Sequence, residues 1–240
     1  MTKDMTNGKP IKLILGFAVP LLLGNLFQQF YNLVDTVIVG KVLGVNSLAA
    51  VGSTGSINFL IIGFCMGICN GFAIPVAQSF GAKNDKTLRK YVANSTWLAL
   101  LFAVIMTIAT IILCKPILRL MRTPDDIFTG AYTYIVIIFA GIPATILYNM
   151  VSGILRAMGD SKTPLYFLIL SAFLNIFLDL FCIIVLHMGV AGAAVATVVS
   201  QAVSGVSCLL YMRKKFDILH IRKDEWKLES QYVKNLCSMG

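Results

Sequence analysis

Six polar side chains lie within one long apolar stretch of the sequence, Leu13–Val39, and their spacing brings them together. At about 100° per helical residue they fall within an arc of roughly 120°, opposite a face of Leu, Ile, Val and Phe. An ionised carboxylate facing lipid would cost about 3 kcal/mol or more, so this polar stripe must face other helices or water. Its members are Asn25, Gln28, Gln29, Asn32, Asp35 and Thr36.

The polar stripe has two interpretations. It is either a helix-packing seam that tolerates one acid or a functional surface, and ionisable residues inside membrane spans favour the second. Pro20 lies in the same stretch and lacks the N–H that would bond to residue 16, so a kink is expected there.

A second acid strengthens the functional interpretation. Asn175 and Asp179 are four residues apart in another apolar stretch and share one face of a helix. If Asp35 and Asp179 meet in a poorly solvated pocket, they cannot both stay ionised without a cation. Such a pair can hold a proton, or exchange it for Na⁺ bound by carboxylate, amide and hydroxyl oxygens, as an ion-coupled transporter requires.

Composition indicates an all-α integral membrane protein. Hydrophobic residues make up 58% of the 240 residues and charged residues only 13%. The net charge of +9 does not indicate nucleic acid binding, because the basic residues cluster at the ends of apolar stretches. Enzymatic hydrolysis finds little support, since the two histidines, His187 and His220, have no partner pattern for a metal or a nucleophile. We expect neither an enzyme nor a bound cofactor.

Six stretches are long enough to cross a bilayer, and we expect the long second one to be broken or tilted at Gly63, Gly67, Gly71 and Pro75. The loops that carry most Lys and Arg lie on one side of these spans, which predicts that both termini are cytoplasmic and that the protein is a multi-pass protein of the cell membrane. The spans are Leu13–Val39, Ala49–Phe80, Val92–Cys114, Ala131–Ile154, Pro164–Leu186 and Val190–Met212.

Two further patterns complete the organisation. Gly192, Ala196, Ser200 and Ser204 recur at every fourth position of the sixth span, a ridge of small residues that predicts close helix packing. We expect residues 1–212 to form a six-helix lobe. Residues 213–240 are expected to be a cytoplasmic linker containing an amphipathic helix within Phe216–Met239.

Several short segments, in order and correctly spaced, resemble the multidrug and toxic compound extrusion (MATE) transporters. They correspond to the first two helices, the loop between helices four and five, and helices five and six of that family. The segments are VDTVIVG at 34–40, LG at 43–44, LAAVG at 48–52, QSFGA at 78–82, GILRAMGDSKTP at 153–164, Asn175 with Asp179, and GAAVAT at 192–197.

The resemblance implies two six-helix lobes around a central cleft, with efflux driven by entry of Na⁺ or H⁺. It also implies a cation site in the N-terminal lobe, formed by Asp35, Asn175, Asp179 and Thr197, which would bind Na⁺ if the protein is sodium-coupled. The pocket and gating residues that we expect from the polar stripe and from weaker family features are Pro20, Gln28, Asn32, Tyr134 and Asn149. The chain resembles only the N-terminal lobe and the linker of a twelve-helix transporter, as a fragment, a truncated product or the product of a split gene would.

The sequence therefore predicts the N-terminal lobe of a cation-coupled antiporter that exports drugs or toxic organic compounds by alternating access. Expected partners are the lipid bilayer, a small cationic or amphipathic organic substrate and a C-terminal lobe. A flippase for lipid-linked saccharides is one alternative, although the spans hold two acids and no Lys or Arg in their interior. A non-transporting membrane fragment is the other alternative.

Overall fold

The computed structural model of the protein describes residues 10–239, and this part of the chain is helical without any β-strand. Its α-helices are α1 Pro10–Leu43, α2 Val45–Gly81, α3 Asp85–Leu120, α4 Asp125–Ala140, α5 Ile142–Ala157, α6 Lys162–Leu180, α7 Val190–Lys215 and α8 Ser230–Met239. A π-helical turn, Phe181–Val185, extends α6, and two short 3-10 turns, Asp217–Leu219 and Lys223–Trp226, lie between α7 and α8.

The expected spans are confirmed as helices long and apolar enough to cross a membrane. Five of them are α1, α2, α3, α6 with its π-helical turn, and α7, and α4 with α5 forms a sixth if this bent pair is counted as one span. Large apolar side chains such as Phe173 and Ile112 stay exposed, both at 68%. Such an outer surface suits contact with lipid rather than water.

The break in a span falls in the fourth span and not in the second, where we expected it. α4 and α5 meet at Gly141 with an angle of 45°. Pro143 follows in the first turn of α5, where its missing N–H is harmless, but its ring cannot continue the helix from α4. Gly141 is also required by close packing, because a Cβ atom there would lie 2.3 Å from Cγ2 of Val198.

α2 runs without a break through its glycines and Pro75, which corrects the expectation of a broken second span. A Cβ atom at Gly63 or Gly67 would meet nothing within 4 Å, so no neighbour forces the backbone to bend there. At about 1.5 Å per residue its 37 residues span roughly 55 Å, well beyond the apolar core of a bilayer. α2 is therefore longer than a straight crossing needs, and α8 packs against it.

The ridge of small residues is confirmed as a packing surface. Ala196, Ser200 and Ser204 are buried, with exposures of 0%, 2% and 0%. Ser204 Oγ donates a hydrogen bond to the Phe167 carbonyl oxygen on α6 at 2.6 Å, and a Cβ atom at Gly192 would lie 3.1 Å from Cβ of Cys182. α6 and α7 are thus held together at close range, which fixes the side chains that each contributes to the site.

The segment after α7 is less helical than we expected, because only Ser230–Met239 forms an α-helix. Polar and aromatic contacts fasten this segment to α3, including Glu225 with Arg89 and the Trp226 carbonyl oxygen with Trp97 Nε1 at 3.1 Å. Leu236 of α8 is fully buried. The division of the chain at residue 212 into a lobe and a linker stays a prediction, and α7 itself continues to Lys215.

Candidate cation site and central cavity

A cavity of about 700 Å³ lies between α1, α2, α4, α5 and α7, and the whole polar stripe faces it. The stripe supplies one wall, while α2 supplies a second with Thr54 and Asn58. The other lining residues that bear on the site are Tyr31, Met66, Tyr134, Thr145, Thr197 and Gln201. The prediction that these six side chains share one face of the helix is therefore confirmed, and that face lines the cavity.

Asp35, which lines the cavity, and Asp179 lie side by side although they belong to α1 and α6. Their carboxyl groups are within hydrogen-bonding reach, and the exposed fractions of the residues are 7% and 0%. Among the described residues no donor reaches Oδ1 of Asp35 or either carboxyl oxygen of Asp179. Two ionised carboxylates offer only acceptors, so the pair is satisfied only when it shares a proton or binds a cation.

Two neutral side chains extend this acidic pair. Nδ2 of Asn175 donates to Oγ1 of Thr197 at 3.3 Å, which links α6 to α7. The amide oxygen of Asn175 is buried and has no hydrogen-bond partner in the described part of the chain. Hard cations prefer carboxylate, amide and hydroxyl oxygens as ligands. The two acids with Asn175 and Thr197 therefore fit a Na⁺ ion as well as a proton.

The predicted pocket residues divide into two groups. Gln28, Asn32 and Tyr134 line the cavity, and Tyr134 is 7% exposed. Asn149 lies in a second, much smaller pocket, and its Nδ2 donates to the Thr145 carbonyl oxygen at 2.8 Å.

Pro20 stands apart from these residues. It is buried within the continuous helix α1 and lines neither the cavity nor the smaller pocket. Because it precedes Asp35 by fifteen residues, about 22 Å of helix separates the two. Any influence of Pro20 on the carboxyl pair must therefore pass through the shape of α1.

Sequence reasoning missed Tyr31, whose hydroxyl lies beside the amides of Gln28 and Gln201 and near both carboxyl groups. On the helical wheel of α1 it falls about 40° beyond Asp35, just outside the arc of the polar stripe. The sequence feature that could have identified Tyr31 is its position at the edge of the polar arc. Thr145 was also missed, and its hydroxyl donates to Oε1 of Gln201 at 2.6 Å.

Comparison with known proteins gives the family. The model of the MatE family matches residues 20–181. The probable multidrug resistance protein YoeA of Bacillus subtilis is 38% identical over 205 residues, which cover 83% of this chain and 44% of that protein. The chain therefore belongs to the MatE family, and several of the proteins similar to it are named as multidrug resistance or export proteins.

Solved structures agree with this assignment. A structure described as MATE in the bent conformation has a TM-score of 0.90 and 28% identity, and covers 100% of this chain and 54% of its own. A transporter of the MOP superfamily from Pyrococcus furiosus, described as having a binding pocket of reverse polarity, has the same TM-score and identity and covers 98% and 52%. The chain spans about half the length of the relatives it matches, and it corresponds to their N-terminal half.

Proposed function

We propose that the chain is the N-terminal lobe of a cation-coupled multidrug exporter and that Asp35, Asn175, Asp179 and Thr197 bind the coupling ion. The observation that carries the proposal is the set of buried oxygens on α1 and α6 that lack a donor within the described residues. Unsatisfied buried acceptors on two acids are costly unless a proton or Na⁺ occupies the site. These unsatisfied acceptors therefore support binding of a proton or Na⁺ at this site.

Binding of the ion would change the fit of α1 against α6. α1 is only slightly embedded in the lobe, with 6% of its most apolar segment buried against 22–39% for α2, α3, α6 and α7, so it has few packing restraints. Occupation by a cation attracts the two carboxylates and draws α1 towards α6, whereas an empty ionised pair repels. Because Pro20 removes one backbone hydrogen bond, α1 bends most easily there, and the ion would bias two arrangements of the helix.

The cavity suits a cationic or amphipathic organic substrate. Phe59, Met66 and Tyr134 supply apolar and aromatic surface, and Asp35 adds an acid. A volume of about 700 Å³ is in the range of pockets for drug-sized ligands. The substrate and the ion would then compete for negative charge at α1, which is how an exchanger couples the exit of one to the entry of the other.

A flippase for lipid-linked saccharides is less well supported. Such substrates carry phosphate and call for a basic groove, but the residues lining the cavity include an acid and neither Lys nor Arg. The reverse-polarity pocket of the related Pyrococcus furiosus transporter was taken to indicate a different function, so pocket polarity is a relevant criterion.

We further propose that the protein is a multi-pass protein of the cell membrane with both termini cytoplasmic. Six crossings return the chain to its starting side, and the Lys and Arg excess of the terminal segments favours the cytoplasm. A C-terminal lobe would complete the cleft, because the relatives are about twice as long as this chain.

The decisive experiment uses Asp35→Asn within a complete transporter that carries this lobe. We expect membrane insertion to persist and ion-driven efflux of an organic cation such as ethidium to be lost. The matched control is Asp217→Asn, since the Asp217 side chain is 96% exposed and distant in sequence from the site. Normal drug resistance in the Asp35→Asn variant would overturn the proposed coupling. Absence of saturable Na⁺ or proton binding by the purified 240-residue chain would favour a non-transporting fragment.

A further inference from the structure

A second pocket lies directly beside the central cavity and shares four of its lining residues. Its volume of about 20 Å³ is sufficient for one water molecule. The shared residues are Gln28, Tyr31, Met66 and Gln201. The remaining lining residues are Tyr148, Asn149, Leu168 and Ser171. A water in this pocket has several amide and hydroxyl partners, as buried water requires.

Polar groups continue beyond this pocket along one face of α5. Asn149, Ser152 and Arg156 follow Thr145 at intervals of four, three and four residues, which places them in one row. Tyr148 lies beside the row, and its hydroxyl donates to the Pro164 carbonyl oxygen at 2.9 Å. The row leads from the middle of the lobe to the end of α5.

Ser152 is the member of the row whose side chain lacks a hydrogen-bond partner among the described residues. It is 2% exposed, and its hydroxyl has no hydrogen bond of good geometry with any described residue. It lies beside the hydroxyl of Tyr148, whose proton is already committed to Pro164. A buried hydroxyl in this condition is a natural partner for a water molecule.

Arg156 closes the row at the end of α5. Its Nε donates to the Ser152 carbonyl oxygen at 3.2 Å, and its Nη2 donates to Oδ1 of Asn70 on α2 at 3.3 Å. Among the side chains that the structure describes, no ion pair joins Arg156 to a carboxylate, so its positive charge has no direct carboxylate partner among them. A half-buried guanidinium at the end of this polar row repels cations.

We propose that the second pocket is a water site on a polar path from the ion-binding residues to the cytoplasmic end of α5, and that Arg156 is the cation barrier of this path. The inference rests on the proposed function, because only a lobe that binds a coupling ion needs to prevent its escape. Arg156 acts on the ion through its charge and touches none of the ion-binding residues, so it is a positioning residue for the direction of ion movement.

The test measures passive leak through the 240-residue chain reconstituted in phosphatidylcholine vesicles. Entrapped pH-sensitive and Na⁺-sensitive dyes report the decay of H⁺ and Na⁺ gradients without any drug present. We expect Arg156→Gln to raise the leak of at least one of these cations on the order of 10- to 100-fold, as removal of a nearby partly desolvated charge should. Arg156→Lys keeps the charge, so its cation leak should equal that of the wild type. The same leak is expected of Arg213→Gln, which removes an exposed basic residue from the end of α7.

Two further variants locate the leak. Ser171→Val places an extra methyl group in the second pocket, so adding it to Arg156→Gln should return the leak to the wild-type rate. Asn70→Asp puts a carboxylate beside the guanidinium and should raise the leak without removing Arg156, which keeps the test valid if Arg156→Gln does not fold.

The proposal is overturned if Arg156→Gln is folded and as tight as the wild type, or if Asn70→Asp remains tight. It is also overturned if Ser171→Val leaves the leak unchanged, because the ions would then take another route. Failure of the proposed function has a separate signature, namely that Asp35→Asn does not alter binding of Na⁺ or protons to the purified chain.

Discussion

Asp35 of α1 and Asp179 of α6 place their carboxyl groups within hydrogen-bonding reach of each other, at exposed fractions of 7% and 0%. The two residues are 144 positions apart in the sequence, so the contact exists only because α1 and α6 pack together. This contact turns the polar stripe of α1 from a packing seam into one half of a binding site. It also makes the position of α1 sensitive to whatever neutralises the pair.

The first prediction concerns stabilisation by sodium. If Na⁺ binds the pair, the chain at pH 8 should unfold at a higher temperature in sodium chloride than in choline chloride. A ligand at 100 times its Kd adds about 2.7 kcal/mol to the free energy of unfolding. Asp179→Asn should lose this difference, and Asp217→Asn should retain it. Equal sodium-dependent stabilisation of wild type and Asp179→Asn would contradict the assignment of this residue as a ligand.

The second prediction isolates the neutral ligands. Thr197→Val keeps the shape of the side chain but leaves the Asn175 amide N–H without its acceptor, which costs about 1–3 kcal/mol of stability. The lost hydroxyl should also weaken Na⁺ binding roughly tenfold, since 1.4 kcal/mol corresponds to a factor of ten. Isothermal titration of the purified chain measures the affinity.

The control for this prediction is Thr36→Val. Thr36 lies on the exposed part of the polar stripe, and its hydroxyl donates only to the Asn32 carbonyl oxygen of the same helix at 2.8 Å. We expect no change in Na⁺ affinity for this variant. If both threonine variants weaken binding equally, the hydroxyl of Thr197 has no special role.

The third prediction concerns the bend between α4 and α5. Gly141→Ala introduces a methyl group 2.3 Å from Cγ2 and 2.8 Å from Cγ1 of Val198, so α5 and α7 must separate. Overpacking of this kind costs about 1–3 kcal/mol of stability. Gly67→Ala is the matched control, because its Cβ atom meets nothing within 4 Å in the middle of α2. That variant should be neutral or stabilising by up to about 1 kcal/mol. Thermal unfolding in detergent measures both.

Much of this architecture was predictable because the membrane imposes simple rules. Apolar length marks the spans, and a polar arc on one side of α1 fixes which face turns inward. The i, i+4 spacing of Asn175 and Asp179 placed both on one face of α6. That Asp35 and Asp179 come together was available only through the family resemblance, because sequence spacing gives no distance between α1 and α6.

The remaining features depend on tertiary packing. Glycines suggested a break in α2, but α2 is continuous and the break falls at Gly141, where the missing Cβ atom leaves room for Val198. Tyr31 reaches the site because its long side chain spans from the edge of the polar arc to Gln201. Similarly, the amphipathic pattern after Phe216 does not show that Glu225 forms an ion pair with Arg89. Nor does it show that the residues around Glu225 form a 3-10 turn.

The last prediction concerns the attachment of the segment after α7. The Arg89 guanidinium, with Nε at 2.9 and 2.8 Å from the two carboxyl oxygens, holds the pKa of Glu225 below its ordinary value. A folded-state pKa below the unfolded value of about 4.3 stabilises the protein above that value, and this contribution is lost as pH falls through the folded value. Glu225→Gln should remove about 1–3 kcal/mol at pH 7, because a buried hydrogen-bonded charge pair is broken.

The two tryptophans of the chain provide the measurement, since Trp97 and Trp226 lie edge to face with ring centroids 6.3 Å apart. Acid titration of wild type should shift the tryptophan emission below about pH 4.3, and Glu225→Gln should already show the acid spectrum at pH 7. Glu229→Gln is the control: its ion pair with Lys90 at 2.6 Å is partly solvated, with Glu229 38% exposed, so its loss should change the emission little. Identical emission of wild type and Glu225→Gln across the titration would mean that the ion pair does not hold this segment on α3.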